Sequence, residues 1–395
     1  MWSICKKEWT QYFSSLTGYL IISFYLVVNG LMLFVIPNYN LLDFGYASLQ
    51  VYFDFAPWFL LLLVPAITMR SFSDEFKQGT YEVLHSLPFS SLQLVLGKLL
   101  GSLLIVIAAI APTIFYAVVL DALSATGGID WGATFGSYIG LFFLGAVYTA
   151  VGVFASSLTK NSAIALLLSI ILSILLLQSF DWLSRASLFA NGYDFYIKQL
   201  GLSLHYNNMS KGLIKMTDMI YFISILALYI LGTIENLKGK IKYVFLLIAI
   251  IGANYLSNIF PIQFDLTKEN RYTLSSSSTE VISQIQAPVT VHLYLGGDLP
   301  SNYKTISNAA IALLDQLHQI NPSLIKWSLE IPNQSVSDTA LYILYDSLSK
   351  LGLPIERIQQ GTGGADKRVD QLIIPGALVE VDGRKPYAID LRSSK

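Results

Sequence analysis

Cysteine is almost missing: Cys5 is the single one in 395 residues. No internal disulfide can form, and no CxxC or Cys/His spacing exists to hold zinc. Charge is scarce as well, with 13% Asp, Glu, Lys and Arg and a net charge of −1, and there is no basic stripe or tail. That argues against a nucleic-acid partner. A phosphate-cradling loop ending in GK[ST] is absent: "VLGKLLG" lacks the upstream glycine, and "GTGGADK" lacks a hydroxyl residue after its lysine. No cofactor is therefore expected on the chain itself. The zincin pattern HExxH is also lacking, and His85, His205, His292 and His318 are scattered, each read as a surface or packing residue. No small-residue cleavage site follows the first apolar run, so the N-terminus does not read as a simple cleavable signal.

What the chain has instead is apolar length. Hydrophobic residues make up 54% of it and mean hydropathy is positive, the composition of a membrane protein over at least its first two-thirds. A hydrocarbon core needs roughly 20 apolar helical residues to cross it. Seven candidate runs answer: Thr17–Ile36, Val51–Met69, Leu99–Leu120, Ala133–Ala155, Ser162–Phe180, Thr217–Gly232 and Ile241–Phe260. Pro65 and Pro112 are no objection, because neighbouring helices can satisfy the freed backbone groups. Lys6, Lys7, Arg70, Lys77, Lys98, Lys160, Lys238, Lys240 and Lys242 fall on one side of these runs, and loops 37–50 and 121–132 contain no Lys or Arg. A cytoplasmic N-terminus is expected, with the C-terminal third outside. Loop 181–216 dissents with Arg185, Lys198, Lys211 and Lys215, and is long enough for short amphipathic or re-entrant helices. Asp54, just inside the second run, reads as an interface residue, although a charge at membrane depth is costly enough to mark function. Trp58, Trp131, Tyr138 and Tyr148 read as belt or packing residues, and no polar catalytic cluster is expected on facing helices.

Beyond Phe260 the composition becomes that of a soluble α/β domain. "PVTVHLYL" and "LIKWSLEIP" read as strands, "NYKTISNAAIALLDQLHQI" and "DTALYILYDSLSKLGLP" as helices, and "DQLIIPGALVEVDGRKPYAI" as strands joined by the turn "DGR". Alternation of strands and helices predicts a mainly parallel sheet. Ser275–Ser278 and "GTGGADKR" read as loops.

Between the second and third runs lies "SFSDEFKQGTYEVLHSLPFS", Ser71–Ser90, with most of the charge of its neighbourhood. Ser71 and Ser73 are candidate N-caps, and Asp74 and Glu75 complement the positive end of a helix dipole. Gly79 loosens the middle, and the helix should stop before Pro88. The expectation is a short helix along the cytoplasmic face, exposing Glu75, Gln78 and Glu82 on one side and Phe76, Leu84 and Leu87 on the other. A solvated connector explains the same residues.

The stretch "RSFSDEFKQGTYEVLHSLPFSSLQLVLGK" resembles the segment after the second membrane helix of ABC-2 type transporter permeases. The matching positions are Asp74, Glu75, Gly79, Thr80, Glu82, Leu84, Leu87, Pro88, Gly97 and Lys98. The resemblance implies that residues 71–90 include a coupling helix docking on a separate ABC ATPase, which would carry the ATP and Mg. It also implies that residues 1–16, with "CKKEWTQYFSS", form a cytoplasmic elbow helix, and that 17–238 form a six-helix permease domain. More narrowly, the chain resembles gliding-motility permeases of the GldF type, continued by the start of a GldG-type companion: a seventh helix in 239–260, then an extracytoplasmic α/β domain in 261–395. That domain, which ends earlier than such companions do, resembles a thioredoxin-like sheet, with "YLGGDLPSN" where a redox pair would stand, so redox chemistry is not expected. The fold class is thus a polytopic α-helical membrane protein followed by an extracytoplasmic α/β domain.

The implied function is the permease subunit of an ATP-driven exporter or force transmitter in a bacterial inner membrane, not itself an enzyme. The implied partners are an ABC ATPase, a second copy of the chain in a 2+2 complex, membrane lipids and an envelope protein on the outer, periplasmic domain. The alternative is a machine through which nothing crosses, transmitting movement to an outer domain that binds a protein or polymer. The low charge of the runs suits lipidic cargo or mechanical transmission better than a hydrophilic ion pathway.

Overall fold

The computed structural model describes residues 1–36, 39–41, 47–86, 88–124, 128–184, 197, 200–237, 263–268, 274, 276–285, 287–297, 301–331, 338–361 and 368–392. They divide into two compact units, Met1–Arg271 and Tyr272–Lys395.

The first unit is helical. It comprises α1 (Trp2–Phe13), α2 (Leu16–Phe34), α3 (Gln50–Thr68), α4 (Ser73–Gln78), α5 (Thr80–Ser86), α6 (Ser91–Ile110), α7 (Ile114–Leu123), α8 (Trp131–Ser157), α9 (Ser162–Ser184), α10 (Leu202–Met209) and α11 (Met216–Leu237). Among the described residues, five spans are long and apolar enough to cross a membrane, or six if the bent pair of α1 and α2 counts as one. The first six predicted runs all fall on these helices. The third starts earlier than its apolar residues suggest, at Ser91, because Ser90 and Gln93 form a reciprocal capping box there. A tight turn over Ala111–Thr113, at Pro112, then separates α6 from α7.

The seventh run, Ile241–Phe260, lies outside the described residues. The residues flanking it are informative. At the end of α11, Asn236 Nδ2 donates to Ser157 O at 2.9 Å. At the start of α11, β1 (Leu213–Lys215) pairs antiparallel with β2 (Gln263–Asp265). The chain thus leaves α11 at one end and reappears beside the other, roughly 33 Å away for a helix of that length.

Inside this unit four hydroxyls bond to one another. Tyr25 Oη and Tyr52 Oη lie 3.2 Å apart, Tyr52 Oη donates to Thr113 Oγ1 at 3.0 Å, and Thr113 Oγ1 is 3.1 Å from Tyr138 Oη. Hydroxyls from α2, α3, α8 and the Pro112 turn thus meet, a pattern invisible to a search for charges. Tyr148 is fully buried rather than a belt residue, and its hydroxyl finds no partner among the described residues. Tyr148→Phe is therefore expected to leave the thermal midpoint of the detergent-solubilised chain unchanged or raised. Tyr52→Phe, which strands buried partners, should lower it by an amount equivalent to about 1–2 kcal/mol. Trp58 and Trp131 are exposed, as belt residues would be. Asp54 sits exposed one turn into α3, accepting from Gln50 Nε2 at 2.9 Å, where an interface residue belongs.

The second unit contains α12 (Ser276–Ser283), β3 (Val289–Leu293), α13 (Ser301–Ile320), β4 (Ile325–Leu329), α14 (Asp338–Lys350), β5 (Glu356–Gly361), β6 (Arg368–Ile373), β7 (Gly376–Val381) and β8 (Tyr387–Asp390). Its main sheet has the order β4-β3-β7-β8. The expected mainly parallel sheet is corrected: β3 pairs parallel only with β4, while β7 runs antiparallel to both β3 and β8. The short turn at Asp382–Arg384 leaves no room for a crossover helix, so β8 must return antiparallel. Alternate β3 residues build two cores. Val291 and Leu293 pack with Leu314 of α13, and Tyr294 just beyond the strand packs with Tyr345 and Leu348 of α14. The serine run expected as a loop instead opens α12 at Ser276. The β5–β6 hairpin was not anticipated, and residues 362–367 of "GTGGADKR", between its strands, lie outside the described residues.

Candidate functional site

Ser71–Ser90 is two helices, not one. Gly79 ends α4 at φ +72, a left-handed conformation that glycine adopts without penalty, and α5 starts at the next residue. Neither expected serine caps α4: Phe72 is the cap, with no side-chain bond, and Ser73 Oγ donates to Met69 O instead. The cap-like residues are absorbed by the turn out of α3.

The larger correction concerns Glu75. It is not on an exposed face but 7% exposed, and its Oε1 accepts from Lys98 Nζ at 2.8 Å and Lys7 Nζ at 3.0 Å. Lys98, 1% exposed, also donates to Glu8 Oε1 at 2.9 Å and to Ser71 O, and stands 4.9 Å from the Phe72 ring centroid. Two cations and two anions from α1, α4 and α6 thus form a network, in which Lys7 is half-exposed and Glu75 Oε2 has no hydrogen-bond partner among the described residues. They are brought together because a side chain at Gly97 or Gly101 would overlap Ile4 or Glu8, so bare α6 backbone lets α1 lie against it. Phe72, Leu94, Val95 and Ile4 seal the apolar side, with Val153 of α8 and Ile234 of α11. Charge-assisted bonds inside such a seal are far less screened than surface pairs.

The helix α5 is held differently. Tyr81 packs on Phe76, with ring centroids 4.8 Å apart, and burial followed by the charge of Glu75 pushes its phenol above the usual range. Leu84 is half-buried against the same cluster. Lys77, Gln78, Gly79, Thr80, Glu82, Val83, Ser86 and Pro88 are exposed, Val83 by 64%. Asp74 is half-buried, and Leu87 lies outside the described residues. Of the residues predicted to form the site, the structure places Gly79, Thr80, Glu82 and Pro88 on one open surface and withdraws Glu75 beneath it. Sequence reasoning missed the roles of Lys7, Glu8 and Lys98 in supporting that surface, although two acid–base pairs in so charge-poor a neighbourhood were a usable signal.

Residues 35–180, from the end of α2 into α9, match the family described as "ABC-2 family transporter protein". Within the membrane unit, residues 35–180 are thus similar to an ABC-2 family transporter domain. ABC-2 permeases generally work with a separate ABC ATPase. The long apolar helices and this match together support a membrane location. Residues 268–380 match a second family, described as a domain of unknown function, DUF7088. No curated protein matches the chain.

A buried polar pair lies near the other end of α11. His205 Nδ1 is 2.6 Å from Asp218 Oδ1, and Asn208 Nδ2 donates to both carboxylate oxygens at 3.4 and 3.2 Å. The His205 ring stacks on Tyr221 at 3.9 Å. This is the packing role expected of the histidines, and it fixes α10 to the first turn of α11.

Proposed function

We propose that the chain is the permease subunit of an ABC exporter or force transmitter, with the outer surface of α5 as the dock for a separate ABC ATPase carrying ATP and Mg. The observation that carries this is the pairing of an exposed α5 with the ionic network beneath it, where α1 meets the part of the chain that matches the ABC-2 family. A surface that must receive a push needs a rigid backing, and Lys98, Glu75, Glu8 and Lys7 supply one. ATP-driven closure shifts the helices only so far as the ATPase binds their conformations with different affinities. In this reading the elbow face is cytoplasmic, two copies pair across a two-fold axis, membrane lipids surround the exposed apolar faces, and the second unit is periplasmic, in a bacterial inner membrane. The resemblance to GldF and GldG supports gliding motility as the process. A mixed sheet in the order β4-β3-β7-β8, with β7 opposed to its neighbours, supports a thioredoxin-like fold for the second unit. Co-purification of the solubilised chain with a candidate ABC ATPase tests this reading: a stoichiometric complex is expected, and failure to bind any such ATPase overturns it.

A second reading, in which nothing crosses and movement alone is transmitted to an envelope-binding outer unit, is favoured by the hydroxyl cluster. Its groups are bonded to one another and form no charged path. Measured movement of lipid or solute in reconstituted vesicles separates the two readings.

A further inference from the structure

At one end, α8 grips the junction between α3 and α4. Ser156 Oγ donates to Met69 O at 3.0 Å and accepts from Phe72 N and Ser73 N at 2.9 and 3.0 Å. These are the residues immediately before Glu75 and the docking surface. At the other end, α8 grips the strand that leads to the second unit. Asp130 caps α8 through Ala133 N at 2.9 Å, and its carboxylate also accepts from Lys268 N at 3.3 and 3.2 Å. A Cβ on Gly132 would come within 1.8 Å of Leu266 O, so the two backbones touch. Leu266 N donates to Gly212 O at 3.1 Å, and Ser137 Oγ of α8 to Ser210 O at 2.7 Å, which binds the same strand pair from its second side.

Between these grips α8 runs unbroken for 27 residues, about 40 Å. Three of the other spans are less suited to carry displacement. The third span is interrupted at Ala111–Thr113 between α6 and α7. In α9 and α11 only 22% and 33% of the most apolar stretch is buried, against 78% in α8. A densely packed helix shifts as a body rather than deforming locally.

We propose that α8 is the element through which a displacement of Met69–Ser73 reaches β2, and with it the chain entering the second unit. The inference rests on the docking reading only for what drives the near end, and its test needs no ATPase. Coupling through a two-state element is reciprocal: if the near end biases the far end, the far end biases the near end by the same factor. Hydrogen–deuterium exchange on the full chain in detergent reads both directions. Ser156→Ala removes the near grip, and exchange at Leu213–Lys215 and Leu266 should accelerate about fivefold or more. Gly132→Ala pushes Leu266 away, and exchange at Phe72 and Ser73 should accelerate by a similar factor. Amides of β3 and β7 in the second unit, and Gln93 N in the capping box of α6, should not change in either variant. Their acceleration would mean general loosening and would overturn the proposal. Changes confined to the mutated end in either variant that folds would also overturn it.

Discussion

Replacing Lys98 with alanine is expected to destabilise the membrane unit by about 3–5 kcal/mol. The loss exceeds that of a surface charge because Lys98 is 1% exposed and its removal takes the shared cation from Glu8 and Glu75, leaving Glu75 only the half-exposed Lys7. Surface pairs such as Lys350–Asp346, at an exposed i,i+4 position, are worth only about 0.3–0.5 kcal/mol. Thermal unfolding of the solubilised chain should therefore show a clear drop for Lys98→Ala and none for Lys350→Ala. Adding Glu8→Gln and Glu75→Gln to Lys98→Met should recover much of the loss, since the damage comes from unpaired charge rather than a missing attraction. An unchanged midpoint for Lys98→Ala would mean that the network does not stabilise the unit.

The second large effect belongs to Asp218. Asp218 Oδ1 and His205 Nδ1 lie 2.6 Å apart, and Asn208 Nδ2 donates to the same carboxyl group. Asp218→Ala strands both partners in a buried site and should cost about 2–4 kcal/mol, counting one desolvation penalty for each. Proteolysis should then open the chain around α10 before it reaches α4. Asp218→Asn, which keeps an acceptor oxygen, should lose less. Equal losses for the two variants would assign the site to shape alone.

The membrane helices were legible because a span is set by length and hydropathy, which a sequence displays directly. Their breaks were less so: Pro112 was seen, but the Thr113 hydroxyl that joins Tyr52 and Tyr138 at the turn depends on three helices meeting. The second unit was legible in its strands and helices and misread in its pairing. Alternation of elements predicted a parallel sheet, whereas the short turn at Gly383 brings β8 back antiparallel to β7, and β7 is antiparallel to β3. In Ser71–Ser90 the location and punctuation were legible, with Gly79 and Pro88 where the chain bends. Glu75 was not: on a helical wheel it falls beside Gln78 and Glu82, and only the approach of α1 to Gly97 and Gly101 turns it inward. A sequence shows which residues share a helix face, but not which face a distant helix will cover.

That distinction sets the decisive measurement, the retention of a candidate ABC ATPase by the solubilised chain carrying Glu82→Arg and Val83→Asp on α5. Both residues are exposed and bond to no buried side chain among the described residues, so the thermal midpoint should stay at the wild-type value while retained ATPase falls at least about tenfold, a loss of about 1.4 kcal/mol in binding. Undiminished retention by this folded variant would contradict the account, because the surface held up by Lys98 and Glu75 would then not be the one the ATPase grips.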